Sequence, residues 1–168
     1  MRAKNLRWLL FAALAALIAF VVYRYRQPRF VAGEAVPDIQ FALPDGSSAR
    51  LHELRGRPVL LQFWGSWCGP CRAENPHLVE LYERHHASQG FEIFSVAIEQ
   101  NPRSWQRAIE QDGMRWRYHT MEAGDFSGPL ARQFNIHSIP STFLLNKDGV
   151  ITAVNPSPER IAKLLAAQ

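Results

Sequence analysis

The feature that most restricts this 168-residue chain is a short apolar run, Pro58–Trp64 (PVLLQFW), followed closely by Cys68-Gly69-Pro70-Cys71 and then by a helical pattern. A largely apolar run of this length has the pattern of a buried central strand. Leu78, Leu81, Tyr82 and His85 fall at i, i+3, i+4 and i+7, and Gly90 ends the pattern. Both cysteines of the chain therefore sit where a buried strand hands over to the start of a helix.

The rest of the chain alternates in the same way. Ile39–Leu43 and Ala49–Leu51 read as strands around a Pro44-Asp45-Gly46-Ser47 turn, and Phe91–Ile98 (FEIFSVAI) as a second buried strand. Pro102–Asp112 reads as a helix capped by Asn101, Trp116–His119 as a short strand and Pro129–Phe134 as a short helix. Thr142–Leu145 and Val150–Val154 flank an Asp-Gly turn, and Ser157 caps a last helix bearing Ile161, Leu164 and Leu165. The order β-β-β-α-β-α-β-α-β-β-α implies an α/β fold around one mixed sheet.

Charge is unevenly placed. Of 19 Lys and Arg, six (Arg2, Lys4, Arg7, Arg24, Arg26 and Arg29) precede the first acid, Glu34, leaving 13 bases against 15 acids. The remainder is slightly acidic, so the basic balance gives no support for a nucleic-acid partner. Trp8–Tyr23 (WLLFAALAALIAFVVY) is unbroken and apolar, with Trp8 at one edge and Tyr23 and Tyr25 at the other. This is just short of a bilayer span unless Leu6 extends it while Arg7 snorkels. A cleaved signal peptide is the competing reading. The bulky and charged Arg24-Tyr25-Arg26-Gln27-Pro28 suits cleavage poorly, so residues 1–26 are read as an uncleaved anchor and 27–33 as a linker. The positive-inside rule leans toward an N-terminus inside. That would place everything after Gln27, including the domain 34–168, outside the cytoplasm, a compartment that permits disulfides.

A helix N-terminus offers unpaired N–H groups and partial positive charge, both of which stabilise a thiolate on Cys68. Lowering a thiol pKa from about 8.5 toward about 7 makes it reactive at neutral pH. Gly69 permits the tight turn and Pro70 stiffens it. Cys71, one turn inward, is the less exposed sulfur. Cys68 is then the attacking thiol and Cys71 the resolving one. Zinc would need two further ligands, and the histidines at 52, 77, 85, 86, 119 and 137 supply no suitable pair, so no metal is expected. A purely structural disulfide would close too small a loop to stabilise much.

Phe63–Pro76 (FWGSWCGPCRAENP) resembles the thioredoxin superfamily, and more narrowly its membrane-anchored TlpA/ResA/DsbE-like thiol-disulfide oxidoreductases. The similarity also rests on Pro76, on Ser138-Ile139-Pro140-Ser141-Thr142-Phe143 as a cis-proline loop, and on PDIQFALPDGSSARLHELRG from Pro37. It implies a thioredoxin-like fold with an N-terminal β-hairpin extension, preceded by a single transmembrane helix. The activity implied is exchange with protein disulfides, chiefly as a reductase, with cytochrome c maturation as a client pathway. The only redox group is the Cys68–Cys71 pair, with no separate cofactor. A membrane thiol carrier of the DsbD/CcdA kind is the implied electron donor, and the inner membrane, facing the periplasm or cell exterior, the implied location. The resemblance makes Ile139 and Pro140 a substrate-binding strand edge beside Trp67, Gly69 and Pro70, and gives Glu74, on the Cys71 face, a part in proton transfer. The equally open reading of Glu74 is a solvated acid paired with Arg72 or His77. Gln62 stands where thioredoxins proper carry a buried Asp, so no base is available at that position.

Two other functions stay open at this point. A peroxiredoxin-type peroxidase needs a P-x-x-x-T-x-x-C context that Cys68 lacks, and a redox-gated or copper-binding module could use the same two thiols. Trp64, Trp105 and Trp116 read as core, and His137 as a loop residue near the proline.

Overall fold

Val59–Trp64 (β3) is the middle strand of a five-stranded sheet, with every residue buried. The computed structural model describes the backbone of residues 2–167 and the side chains of 7–25 and 27–167. Met1 and Gln168, the outer bounds of the expected anchor and domain, lie outside the described residues, as does the Leu6 side chain expected to lengthen the span.

Before β3 come helix α1 (Arg2–Arg26) and strands β1 (Gln40–Ala42) and β2 (Ser48–Arg50). After it follow α2 (Gly69–Gln89), β4 (Glu92–Ile98), α3 (Pro102–Gln111), β5 (Tyr118–Glu122), α4 (Pro129–Phe134), β6 (Ser141–Leu145), β7 (Ile151–Val154) and α5 (Pro158–Ala166). The sheet order is β5-β4-β3-β6-β7. The β5-β4-β3 side is parallel, and β6 and β7 run antiparallel to β3 and to each other. β1 and β2 form a separate antiparallel hairpin whose Phe41 stacks on Phe94 of β4 at 3.7 Å between ring centroids.

Local chemistry explains the boundaries. The Asn101 side chain accepts from the N–H groups of Arg103 and Ser104, and Pro102 fills a first-turn position that needs no donor. Gly90 ends α2 in the left-handed conformation at φ 69°, which a Cβ would oppose. The fifth strand lies two residues beyond its expected start. Trp116 is buried ahead of it, donating from Nε1 to Ser95 Oγ at 3.0 Å, so core packing rather than strand pairing explains that aromatic.

One core layer lies between the sheet and the hairpin with α4, around Phe63, Phe94, Phe134 and Phe143. The other lies under α2, α3 and α5, around Leu60, Trp64, Leu78 and Ile93. Cys68 and Cys71 belong to this second layer.

α1 carries one candidate membrane span, Arg7–Tyr25, none of it buried in the protein. At 1.5 Å per residue its length is about 28 Å, close to the hydrocarbon thickness of a bilayer. The expected linker has no regular structure but lies against the domain. Arg29 N donates to Phe134 O at 3.1 Å, the Phe30 ring sits 5.0 Å from Phe134, and Gly33 N donates to Ile151 O at 2.8 Å.

Candidate active site

α2 begins where β3 ends, and Cys68 is its N-cap. Its backbone is extended (φ −88°, ψ 100°), and its Sγ accepts a hydrogen bond from Cys71 N at 3.2 Å. The sulfur thus occupies the place of a capping oxygen, at the positive end of a 21-residue helix. Cys68 and Cys71 are joined in a disulfide (S–S 2.05 Å). Cys68 is 5% exposed and Cys71 not at all, so the outer cysteine is the more accessible of the two. Gly69 and Pro70 form the first turn between them.

Trp67 stands out from the surface at 57% exposure, but its Nε1 is tied to Ile98 O at 2.8 Å and its ring meets Phe126 edge-on. The bond between Ile139 and Pro140 is cis, and Ile139 packs partly buried against both core layers. His137, by contrast, turns away: its ring lies 4.3 Å from that of Tyr25, and Nε2 meets Asn135 Oδ1 at 3.0 Å.

Glu74 is partly buried, and among the described residues its Oε2 has no hydrogen-bond partner. Burial pushes its pKa up, only partly opposed by the charge of His77. The expected pairing with Arg72 does not occur. Arg72 instead forks onto Asp112, Nε to Oδ2 at 2.6 Å and Nη2 to Oδ1 at 2.7 Å. The bidentate geometry is specific to a guanidinium.

That fork ends a buried chain of hydrogen bonds that sequence reasoning missed. Trp116 Nε1 donates to Ser95 Oγ, Ser95 Oγ to Gln62 Oε1 at 2.8 Å, and Gln62 Nε2 to Asn75 Oδ1 at 2.9 Å. Asn75 Nδ2 then donates to Asp112 Oδ2 at 2.7 Å. Gln62, Asn75 and Ser95 are all fully buried. Gln62 is thus one member of a satisfied amide network rather than an isolated replacement for an acid. The available signals were a lone Gln in an apolar strand and an Asn four residues after Cys71, on the same helix face. Asp112 lies 40 residues from Arg72, and no local pattern links them.

A second carboxylate braces the loop before Cys68. Glu99 accepts from Ser66 N at 3.2 Å, from Ser66 Oγ, and from the N–H groups of Gln100 and Asn101 at 3.0 and 3.1 Å. Burial alone would raise its pKa, but these donors outweigh burial and hold it below the usual carboxylate range. Among the described residues no cluster of three or more His, Cys, Asp or Glu is arranged to hold a metal.

The redoxin family model matches residues 31–167. The chain is 30% identical over 152 residues to the thiol-disulfide oxidoreductase ResA of Geobacillus kaustophilus, covering 89% of this chain and 84% of that one. It is also 30% identical over 156 residues to ResA of Halalkalibacterium halodurans, covering 88% and 85% of the two chains. The thioredoxin domain of a thiol-disulfide oxidoreductase of Bacteroides vulgatus superposes with a TM-score of 0.73 at 25% identity, over 82% of this chain and 97% of that one. A disulfide at a strand-to-helix junction, on a thioredoxin-like α/β fold with a candidate membrane helix ahead of it, agrees with these relatives: the chain belongs to the redoxin family and is a ResA-like thiol-disulfide oxidoreductase.

Proposed function

We propose that the protein is an anchored reductase of protein disulfides outside the cytoplasm. The observation that carries this is the capping geometry of Cys68, whose sulfur lies at the start of α2 and accepts the Cys71 N–H. In the reduced protein that N–H and the helix end favour a Cys68 thiolate. The thiolate attacks one sulfur of a substrate disulfide, forming a Cys68–substrate disulfide and releasing the other sulfur as a thiolate. Cys71 then loses its proton and attacks Cys68 Sγ. The second substrate thiolate leaves, and the Cys68–Cys71 disulfide seen here is regenerated. Two electrons pass to the substrate. Glu74, three residues after Cys71 with an unpartnered carboxylate oxygen, is the proposed acceptor of the Cys71 proton.

Trp67, Gly69, Pro70 and the Ile139–Pro140 edge form the proposed docking surface for the substrate chain. The Gly-Pro pair and the Ile before the cis-proline resemble reducing thioredoxins, which favours a reducing couple. A membrane dithiol carrier of the DsbD/CcdA kind would recharge the disulfide, and haem-attachment cysteines of cytochrome c are the proposed clients. The proposed site of action is the outer face of the inner membrane, reached through α1.

The test uses the full chain, reduced and exposed to a disulfide-bonded protein. Cys71→Ser should accumulate a mixed disulfide through Cys68, and Cys68→Ser should neither form one nor react with alkylating agents at neutral pH. Trapping through Cys71 instead would reverse the assigned roles.

A further inference from the structure

We propose that the cleft at the foot of α1 binds the phosphate-bearing headgroup of an anionic phospholipid. This inference rests on reading α1 as a membrane anchor. The cleft, of about 610 Å³, opens between the end of α1, the segment after it and the C-terminal end of α4, with Arg24, Arg29, Arg132, Gln27, Asn135 and Tyr23 among its walls. It begins where the apolar stretch Arg7–Tyr25 ends, at the depth of lipid headgroups.

Charge points to the ligand. Three guanidinium-bearing residues line one cleft, and none of them forms an ion pair among the described residues. No acid is among its walls; the first acid of the sequence, Glu34, accepts from Val31 N at 2.9 Å and ion-pairs with none of the three arginines. A guanidinium matches phosphate oxygens two at a time, so an anionic phosphodiester fits this gap in the charge balance. The remaining wall is apolar, with Phe30, Val31 and Val154 suited to the glycerol and first methylenes of a lipid. Membrane attachment presents lipids to this cleft at high effective concentration, which free phosphate does not share.

The cleft is also built rather than accidental. Asn135, left-handed at φ 54°, donates from Nδ2 to Tyr25 O at 3.0 Å and Gln27 O at 2.7 Å. The Tyr25–His137 ring contact and the Arg29 N to Phe134 O bond fix the same corner. Asn135 and His137 lead directly into Ile139–Pro140, so a headgroup held here would set how the proposed docking edge is carried on the membrane surface. This also gives Arg24 and Arg29, at and just past the end of the apolar stretch, a reason to lie on a side that the positive-inside rule would leave sparse.

The test takes the full chain, confirms that it resists alkaline carbonate extraction, and measures lipid retention in nonionic detergent by native mass spectrometry. Dioleoyl phosphatidylglycerol, dioleoyl phosphatidylcholine and glycerol 3-phosphate are the probes. Phosphatidylglycerol should be retained in preference to the other two. Arg24→Gln and Arg132→Gln should each weaken its retention about fivefold, with disulfide reduction in detergent unchanged. Equal retention of both lipids by a carbonate-resistant chain overturns this proposal alone. So does a phosphatidylglycerol preference that survives both substitutions made together, Arg24→Gln with Arg132→Gln, or glycerol 3-phosphate binding as tightly as the lipid. Release of the chain by carbonate overturns the anchor reading, and this inference with it.

Discussion

Asn75→Ala removes the middle of the buried amide chain beneath the disulfide. Gln62 Nε2 loses its acceptor at 2.9 Å, and Asp112 loses a donor at 2.7 Å while keeping the Arg72 fork. Gln62 is 0% exposed, so its amide cannot turn to water. An orphaned buried amide costs about 1–3 kcal/mol, and a hydrogen bond to a charged group contributes about 1.5–3 kcal/mol. The two effects share one residue, so a total of about 3 kcal/mol is expected, lowering Tm by roughly 10 °C in a domain of this size. The conservative comparison is Gln62→Met with Asn75→Leu. Replacing both partners by apolar groups leaves fewer orphans, so the double variant should cost less than the sum of its single changes by about 1 kcal/mol or more. Thermal and urea unfolding of the oxidised full chain in detergent, followed by near-ultraviolet circular dichroism, supplies both numbers. A cost below about 1 kcal/mol for Asn75→Ala, or strict additivity in the cycle, would refute the network as a stabilising unit.

Two other expectations concern acids beside the disulfide. Burial raises the Glu74 pKa, so Glu74 protonates at higher pH than an ordinary carboxylate and loses its capacity as a base as pH falls through that value. Glu74→Gln should therefore slow resolution of the mixed disulfide at neutral pH and remove the acid limb of its pH profile. Stopped-flow release of substrate thiol reads this, and an unchanged profile would leave Glu74 outside the chemistry. Glu99 has its folded pKa depressed, so the stability it contributes is present above its unfolded pKa and is lost as pH falls through the folded value. Glu99→Gln should accordingly destabilise the protein at pH 7 and much less at strongly acidic pH, as measured by urea midpoints at the two pH values.

How much of this was legible in the sequence depended on distance along the chain. β3, the start of α2 and the Asn101 and Ser157 caps were read correctly because each is decided by neighbours within a turn. The hydroxyl of Ser157 accepting from Arg160 N is a local event visible in a Ser-Pro pair. Trp116 misled the placement of β5 because its β-propensity is satisfied by burial against Tyr82 and Ser95, contacts set by the fold. The cysteine pair was legible for the same local reason. What surrounds it was not: the Arg72–Asp112 fork, the Gln62–Asn75 bond and the Ser66–Glu99 bond join residues between 13 and 40 positions apart. Glu74 shows both sides of this. Its helical spacing from Cys71 was readable, but that Arg72 pairs instead with Asp112, at the end of α3, and leaves Glu74 Oε2 without a partner was not.

The most direct measurement is the equilibrium reduction potential of the full chain in graded dithiothreitol or glutathione buffers. Cys68 and Cys71 are the chain's only thiols, so alkylation mass reports the couple without interference. A reductase should titrate near −270 mV, with the reduced form reacting first at Cys68. A potential near −120 mV would mark the couple as an oxidant and contradict the direction of electron flow proposed here.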